Sequence, residues 1–269
     1  MTIFELYQKL ELPQPLVDKL EAVRAEMDFA AVEDAIVLMM DRKTAYDAHL
    51  KVVAAFPEDE GSLHSMCCQL EVVRRQYDKF MEMGISEEIF VDTMKAYTRF
   101  VNEHLTKYGE YAYDRDWWSY RQASMCLFRI GVLEYELYEF KGEKVLSVHI
   151  PSDSNMKDEI VGESIAMAKE FMAKFYPEYA GCKMYCESWL LAPKLQELLP
   201  ETSNIVKFQK RFELFAEDYE DTGCVYWVFP VPKGTPFEEL PVKTSLQRKM
   251  KDILLAGGGI GWGEGFIKE

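Results

Sequence analysis

The chain has 269 residues, of which 48% are hydrophobic and 29% are charged. These proportions are typical of a globular protein and exclude a largely disordered one. The formal net charge is −15, from 31 basic and 46 acidic residues. Such a surface repels nucleic-acid phosphates and anionic lipids, so we expect neither a nucleic-acid nor a membrane partner. An anionic ligand could bind only through backbone N–H groups or a local basic cluster.

Cysteine and histidine usage favours a reducing compartment and no metal. None of the six cysteines forms a CxxC pair, which indicates reduced thiols. The four histidines show no HExxH spacing, so we expect no zinc site. The first fifteen residues lack the basic and apolar regions of a signal peptide, and no apolar run is long enough to span a membrane. The sequence therefore predicts a cytoplasmic location.

Apolar residues recur with helical spacing from the start of the chain to about residue 124. The clearest helix is predicted between Leu63 and Met83, where Gly84 ends the pattern. Ser86 is a suitable N-cap for the next helix, which is predicted to reach about Tyr108. We therefore expect an all-helical N-terminal domain over residues 1–124.

From about Cys126 the sequence is typical of an α/β domain. Residues 128–140 are rich in β-branched and aromatic side chains and predict one strand, which a turn at residues 141–143 joins to a second strand over residues 144–150. A loop over residues 151–157 then leads into a helix from Asp158 to about Tyr176, and residues 183–191 predict a third strand.

The remaining sequence predicts a helix from Ser203 or Asn204 to about Phe215, a fourth strand over residues 224–229, and a last helix up to Leu255. The glycine-rich residues 257–263 follow a helix and lack a Lys-Ser or Lys-Thr ending, which argues against a phosphate-binding P-loop and favours a flexible terminus. Because helices interrupt the strands, we expect a mixed sheet over residues 125–269, and an α+β protein as a whole.

The predicted hairpin carries candidate catalytic residues. Strand alternation places Glu134 and Glu136 on one face of the first strand, together with Ile130 and Val132. A two-residue turn would place His149 opposite Glu134 or Glu136, and a three-residue turn would place it opposite Tyr135. A His–Glu pair could act as a general base near neutral pH. The alternative is a solvent-exposed cross-strand pair without a catalytic role.

The junction between the second strand and the following helix could bind a phosphate group. Backbone N–H groups at a helix start are free to do so, and the candidate residues are Ile150, Ser152, Asp153, Ser154 and Asn155. An ordinary helix cap is the alternative, since Ser, Asp and Asn are preferred N-caps. In the third strand Cys186 and Ser188 are possible nucleophiles, although no GxSxG elbow surrounds Ser188 and a buried cysteine usually serves as a small apolar residue.

Several segments resemble a bacterial family of acyltransferase-domain proteins that pair a helical N-terminal domain with a GNAT-like C-terminal domain. They are FRIGVLEYEL, VHIPSD, CESWLLAP, LPETSNIVKFQKRF, TSLQRKM and the glycine-rich end. The resemblance implies that an acyl-CoA lies between two splayed parallel strands, here residues 144–150 and 183–191, with its pyrophosphate on the loop over residues 151–157. Ser188 lies in the second of these strands and is therefore a further candidate for binding the acyl-CoA. The glycine-rich Q/R-x-x-G-x-G/A loop of GNAT-type enzymes is absent.

The resemblance implies an N-acyltransferase that transfers an acyl group from acetyl-CoA or another acyl-CoA to an amine on a small molecule or peptide. No metal is expected to take part. Glu134, Glu136 and His149 are the candidate catalytic residues. The alternative is a non-catalytic binding or scaffolding protein on a degenerate GNAT-like fold, which the missing glycine loop and the strong acidity favour.

Overall fold

A computed structural model describes residues 1–268 of the chain. It divides into two compact units, Met1–Arg129 and a second one from Ile130 onward. Among the described residues, no helix combines the length and the apolar character needed to cross a bilayer.

The first unit is helical, as the sequence predicts. Ser86 Oγ accepts a hydrogen bond from the Ile89 amide, which confirms the predicted N-cap. Gly109 ends its helix with a φ of 79°. Lys95 interrupts the single helix predicted after Ser86, so two helices are found there. The helices are α1 (Ile3–Lys9), α2 (Gln14–Glu26), α3 (Phe29–Met39), α4 (Ala45–Ala55), α5 (Leu63–Glu82), α6 (Glu87–Met94), α7 (Ala96–Tyr108) and α8 (Asp116–Ala123).

Within residues 1–268 the sheet contains six strands in the order β1-β2-β3-β4-β6-β5. They are β1 (Leu127–Ile130), β2 (Leu133–Phe140), β3 (Glu143–His149), β4 (Met184–Ser188), β5 (Phe212–Asp218) and β6 (Trp262–Ile267). The pair β3–β4 is parallel, whereas β2–β3, β4–β6 and β5–β6 are antiparallel. The predicted mixed sheet is therefore confirmed.

The described part of the second unit contains five helices, and the longest of them packs on one face of the sheet. On that face the Ser164 hydroxyl of this helix lies 3.0 Å from the Tyr135 hydroxyl of β2. The helices are α9 (Asp158–Phe175), α10 (Lys194–Leu198), α11 (Asn204–Lys210), α12 (Val225–Val228) and α13 (Ser245–Leu255). A second apolar core lies around α10, α12 and α13, with Leu195, Phe229 and Met250 fully buried.

Two of the predicted strands are wrong. Residues 128–140 do not form one strand, because Gly131 adopts a φ of 66° and begins a turn between β1 and β2. Ile130 and Val132 are therefore not part of the strand that carries Glu134 and Glu136. The apolar and aromatic character of residues 224–229 predicts a strand, but this segment contains the short helix α12, Val225–Val228, within the second core.

Two strands lie where other structures were predicted. The helix expected to reach Phe215 ends at Lys210, and β5 begins two residues later. The glycine-rich end is not a flexible terminus, since it includes β6, which lies between β4 and β5 in the sheet. Its glycines permit close packing: a Cβ on Gly263 would lie 2.5 Å from the Leu191 carbonyl oxygen, and one on Gly265 would lie 2.5 Å from that of Glu213.

Candidate active site

The central feature of the site is the point where β3 and β4 stop pairing. Their parallel ladder contains only two partner pairs, Leu146 with Met184 and Ser147 with Tyr185. Both strands continue beyond it, β3 on its antiparallel ladder with β2 and β4 on its ladder with β6. The carboxyl ends of two adjacent parallel strands are thus separate, which leaves a gap in the hydrogen bonding of the sheet.

Backbone polar groups line this gap. The Leu146 amide donates to the Lys183 carbonyl over 3.0 Å. Successive amides of a strand point alternately to its two neighbours. The amides of Val148 and Ile150 therefore point toward β4, as that of Leu146 does. Ile150 lies beyond the ladder, and within residues 1–268 its amide donates no hydrogen bond. On the β4 side, Glu187 is the next residue whose amide faces β3. The gap therefore offers at least one donor for an extended polar ligand.

His149 lies at the carboxyl end of β3, beside the gap. The β2–β3 turn has two residues, since Phe140 pairs with Glu143, and this places His149 directly opposite Glu134. His149 Nε2 lies 2.9 Å from Glu136 Oε2. The two carboxylate residues are only 2% and 8% exposed and the His149 side chain is 22% exposed, so the pair is not on the open surface, and its catalytic role stays a prediction. An imidazole held by a buried carboxylate can accept a proton, which is the chemistry of a general base.

The loop after β3 has its own local hydrogen bonds. The Ser154 hydroxyl donates to the Val132 carbonyl over 2.6 Å and fixes the loop to the turn between β1 and β2. Asn155 Oδ1 accepts from the Lys157 amide at 3.2 Å. Ser152 and Asp153 are exposed, and Ile150 is half-buried. No side chain caps the start of α9, so its first amides remain available to an anion.

An arginine that we did not predict lies against the same helix start. The guanidinium of Arg211, which follows α11, donates to the Asp158 carboxylate from Nε at 3.0 Å and to the Asp158 carbonyl from Nη2 at 2.8 Å. A Cβ on Gly162 would lie 3.5 Å from Nη2. The signal was present in the sequence, because Lys207, Lys210 and Arg211 are a basic cluster in a strongly acidic chain.

The two candidate nucleophiles have structural roles. Ser188 Oγ accepts from the Leu190 amide at 3.1 Å and caps a 3-10 turn over Trp189–Leu191, which ends the predicted third strand early. Cys186 is fully buried, and burial raises the pKa of its thiol, so the reactive thiolate is disfavoured. Neither residue is therefore placed as an attacking group.

A polar cluster on β4 and β6 was also missed by sequence reasoning. Tyr185 Oη donates to Glu264 Oε1 at 2.7 Å and lies 3.3 Å from Glu187 Oε2. Burial and the hydrogen bond to Glu264 raise the pKa of Tyr185, so its hydroxyl stays protonated. Glu187 and Glu264 are direct cross-strand partners. Through the register of the sheet, all three share the face that carries Glu136 and His149. The sequence does not indicate this cluster, because it predicts a flexible terminus where β6 lies and so gives Glu264 no strand partner.

Comparison with known protein families agrees with this geometry. The family model described as the GNAT-like C-terminal domain matches residues 127–267. The chain belongs to this family. The model described as the N-acyltransferase N-terminal domain matches residues 1–125. The resemblance noted in the sequence is thus confirmed, and the sheet that opens between β3 and β4 is that of a GNAT-like domain. A search of curated proteins gives no match.

Solved structures of acyltransferases share the architecture of the whole chain. One, an acyltransferase in complex with decanoyl-CoA, is 26% identical and has a TM-score of 0.79 over 98% of this chain and 86% of its own. Another, in complex with decanoyl-CoA and teicoplanin, is 25% identical with the same TM-score over 98% and 87% of the two chains. A third is in complex with CoA and 10C-teicoplanin, at 25% identity, with the same TM-score and the same coverage. The predicted fold, a helical part followed by a GNAT-like domain, is therefore confirmed.

Proposed function

We propose that the chain is an acyl-CoA-dependent N-acyltransferase that joins a helical domain over residues 1–124 to a catalytic domain over residues 125–269. The observation that carries the proposal is the end of the β3–β4 ladder at Ser147 and Tyr185, with His149 at its edge. The similar acyltransferases that form complexes with decanoyl-CoA or CoA support it. A cytoplasmic location, where acyl-CoA is available, is part of the proposal.

In this proposal the pantetheine arm of the acyl-CoA lies in the gap. Its amides replace the missing sheet partners, and the Ile150 amide is the first donor they meet. The pyrophosphate lies at the start of α9, where the exposed Ser152 and Asp153 and the backbone around Ser154 and Asn155 form the wall. Arg211 holds Asp158 through Nε and Nη2, and its Nη1 is the group that meets the pyrophosphate in this proposal. Ser188 lies next to this gap, but its hydroxyl caps the following turn and its amide faces β6 by strand alternation, so the Glu187 amide is the β4 donor in this proposal.

The chemistry needs no covalent enzyme intermediate. His149 accepts a proton from the acceptor ammonium, and the neutral amine attacks the thioester carbonyl. The new C–N bond forms and the C–S bond breaks, and the CoA thiolate leaves and takes up the second proton that the attacking nitrogen loses. Glu136 orients the imidazole and stabilises its protonated form over the 2.9 Å contact. Glu134, opposite His149 in the register, adds a second negative charge beside it.

The acceptor we propose is an amine on a small molecule or peptide. Glu187 and Glu264 face each other on the same side of the sheet as His149, and no lysine or arginine within residues 1–268 forms an ion pair with either. A cationic amine approaching this face would be attracted by them. The acyl donor is acetyl-CoA or a longer acyl-CoA, and decanoyl-CoA is the first to test because the similar acyltransferases bind it.

Calorimetric titration with decanoyl-CoA, acetyl-CoA and CoA tests the proposal. We expect saturable binding with one site per chain for at least one of the thioesters, and acceptor-dependent release of CoA thiol when a panel of primary amines is added. Binding without thiol release from any amine would favour the alternative of a binding or scaffolding protein. Absence of binding by all three ligands would contradict the proposal.

Replacing Arg211 by alanine is expected to weaken CoA binding by about tenfold or more, because one charge-assisted contact to the pyrophosphate is lost. Binding of S-decanoyl-pantetheine, which has no pyrophosphate, should change little. Calorimetry on both ligands separates the two effects, and Arg248→Ala on the exposed side of α13 is the matched control. An equal loss of affinity for both ligands would show that Arg211 only supports the local structure through Asp158 and does not contact the pyrophosphate.

A further inference from the structure

A cavity of about 340 Å³ in the helical unit has an unusual lining for so acidic a chain. Three guanidinium groups and one carboxylate surround it, together with a single aromatic ring. The lining residues are Thr2, Ile3, Arg24, Phe29, Glu71, Arg74 and Arg75. Arginines concentrated around a concave surface commonly bind oxyanions, because the N–H donors of the planar guanidinium group match the spacing of carboxylate and phosphate oxygens.

Two of these arginines are fully engaged within the protein. Arg74 donates to Glu71 from Nε and Nη2, at 2.9 and 2.6 Å, and from Nη1 to the Met1 carbonyl at 3.2 Å. Arg75 donates to Glu71 at 2.8 Å and holds Glu33 through two further bonds of 2.6 and 2.9 Å. Hydrogen bonds from both arginines outweigh the burial of Glu71, which alone would raise its pKa, and the net pKa is lowered. Glu71 therefore stays charged.

Arg24 differs from its two neighbours. Its side chain is only 19% exposed, and its guanidinium carbon lies 4.8 Å from the centre of the Phe29 ring. It approaches Glu21 at 3.5 Å and Glu71 at 4.0 Å, yet within residues 1–268 it donates no hydrogen bond. In the described part of the chain its Nη1 is buried without a hydrogen-bond partner. A buried charged donor without an acceptor is unfavourable, so a rotation of the guanidinium that brought Nη1 to an acceptor in the cavity would be stabilising.

We propose that this cavity is a binding site for a small oxyanion, a phosphate or carboxylate group, whose oxygens accept from Arg24. Glu71 already accepts hydrogen bonds from Arg74 and Arg75, and Arg24 approaches Glu21 and Glu71 only at 3.5 and 4.0 Å, so Arg24 is the arginine of the lining with donor capacity left for a ligand. The Phe29 ring forms the apolar wall beside it, which suits a ligand with a compact apolar group next to the anion. The site lies wholly within the helical unit and does not depend on the proposed acyl transfer.

Calorimetric titration and thermal unfolding with two probes test the proposal, inorganic phosphate and acetate, each against chloride at equal ionic strength. In the unmodified chain we expect saturable binding of one of the two, with a rise in melting temperature above that in chloride. Binding of phosphate alone would assign a phosphate-bearing ligand, and binding of acetate alone would assign a carboxylate. No binding of either probe would overturn the proposal.

Arg24→Gln is expected to weaken the binding about tenfold or more, the effect of losing one charge-assisted hydrogen bond. Arg248→Gln removes the same charge from an exposed position and should leave both the affinity and the anion-dependent rise unchanged. Circular dichroism checks that the variants fold. If Arg24→Gln does not fold, Arg24→Lys replaces it, because lysine keeps the positive charge but lacks the guanidinium group. Equal affinity in the Arg24 variant and in the Arg248 control would also overturn the proposal.

Discussion

His149→Gln is expected to lower the turnover number by about 10²- to 10⁴-fold, the contribution typical of a general base. Glutamine has a similar size and can still contact Glu136, but it cannot take a proton from the acceptor ammonium. The affinity for the acyl-CoA should stay within about twofold, because the proposed CoA contacts are backbone groups of β3 and residues near α9. Steady-state kinetics with thiol detection, combined with calorimetry, measures both quantities.

His64 provides a matched control for this substitution. His64 Nδ1 lies 2.8 Å from Asp59 Oδ1, so it too belongs to a close histidine–carboxylate pair, but in the helical unit. His64→Gln should leave the turnover number nearly unchanged. A turnover number that falls equally in both variants, or that does not fall in His149→Gln, would remove His149 from the mechanism.

Gly261→Ala is expected to destabilise the second unit by about 3 kcal/mol or more. The residue has a φ of 81°, which costs an alanine about 1–2 kcal/mol. Its Cβ would also lie 1.8 Å from the Asp218 carbonyl oxygen, a clash that only a backbone shift can relieve. Such overpacking adds about 1–3 kcal/mol. Because Gly261 immediately precedes β6, the shift would separate β6 from β5. Urea denaturation followed by circular dichroism measures the loss.

Gly257 separates the two contributions. It has nearly the same φ, 82°, but an added Cβ there would meet nothing within 4 Å. Gly257→Ala should therefore show only the conformational cost, about 1–2 kcal/mol. If the two variants are equally destabilised, the close approach of the backbone at Gly261 does not matter for stability.

Local patterns in the sequence were sufficient for much of the fold and of the candidate site. Helical periodicity predicts the first unit, Ser86 is a cap as expected, and the β2–β3 hairpin is found with one of the registers considered for His149. These features depend on residues close together in the chain. The burial of Glu134 and Glu136 depends on the tertiary structure, so the sequence alone does not distinguish a buried from an exposed His–Glu pair.

The missed elements depend on contacts between distant residues. β5 and β6 are separated by more than forty residues and stabilise each other by pairing. Neither segment is therefore predicted as a strand from its own sequence. The glycines of β6 lower its strand propensity, yet they are required where the chain passes close to Leu191 and Glu213. Arg211 and Tyr185 acquire their roles through contacts with Asp158 and Glu264, across 53 and 79 residues of the chain.

A crystal structure of the chain with decanoyl-CoA tests the central claim most directly. We predict that the thioester lies between the carboxyl ends of β3 and β4, near His149 and Glu187, with the pyrophosphate at the start of α9. The amide of Ile150 should donate to the pantetheine arm. Density for the ligand elsewhere, or a β3–β4 ladder that continues past Ser147 and Tyr185 with CoA excluded, would contradict the account.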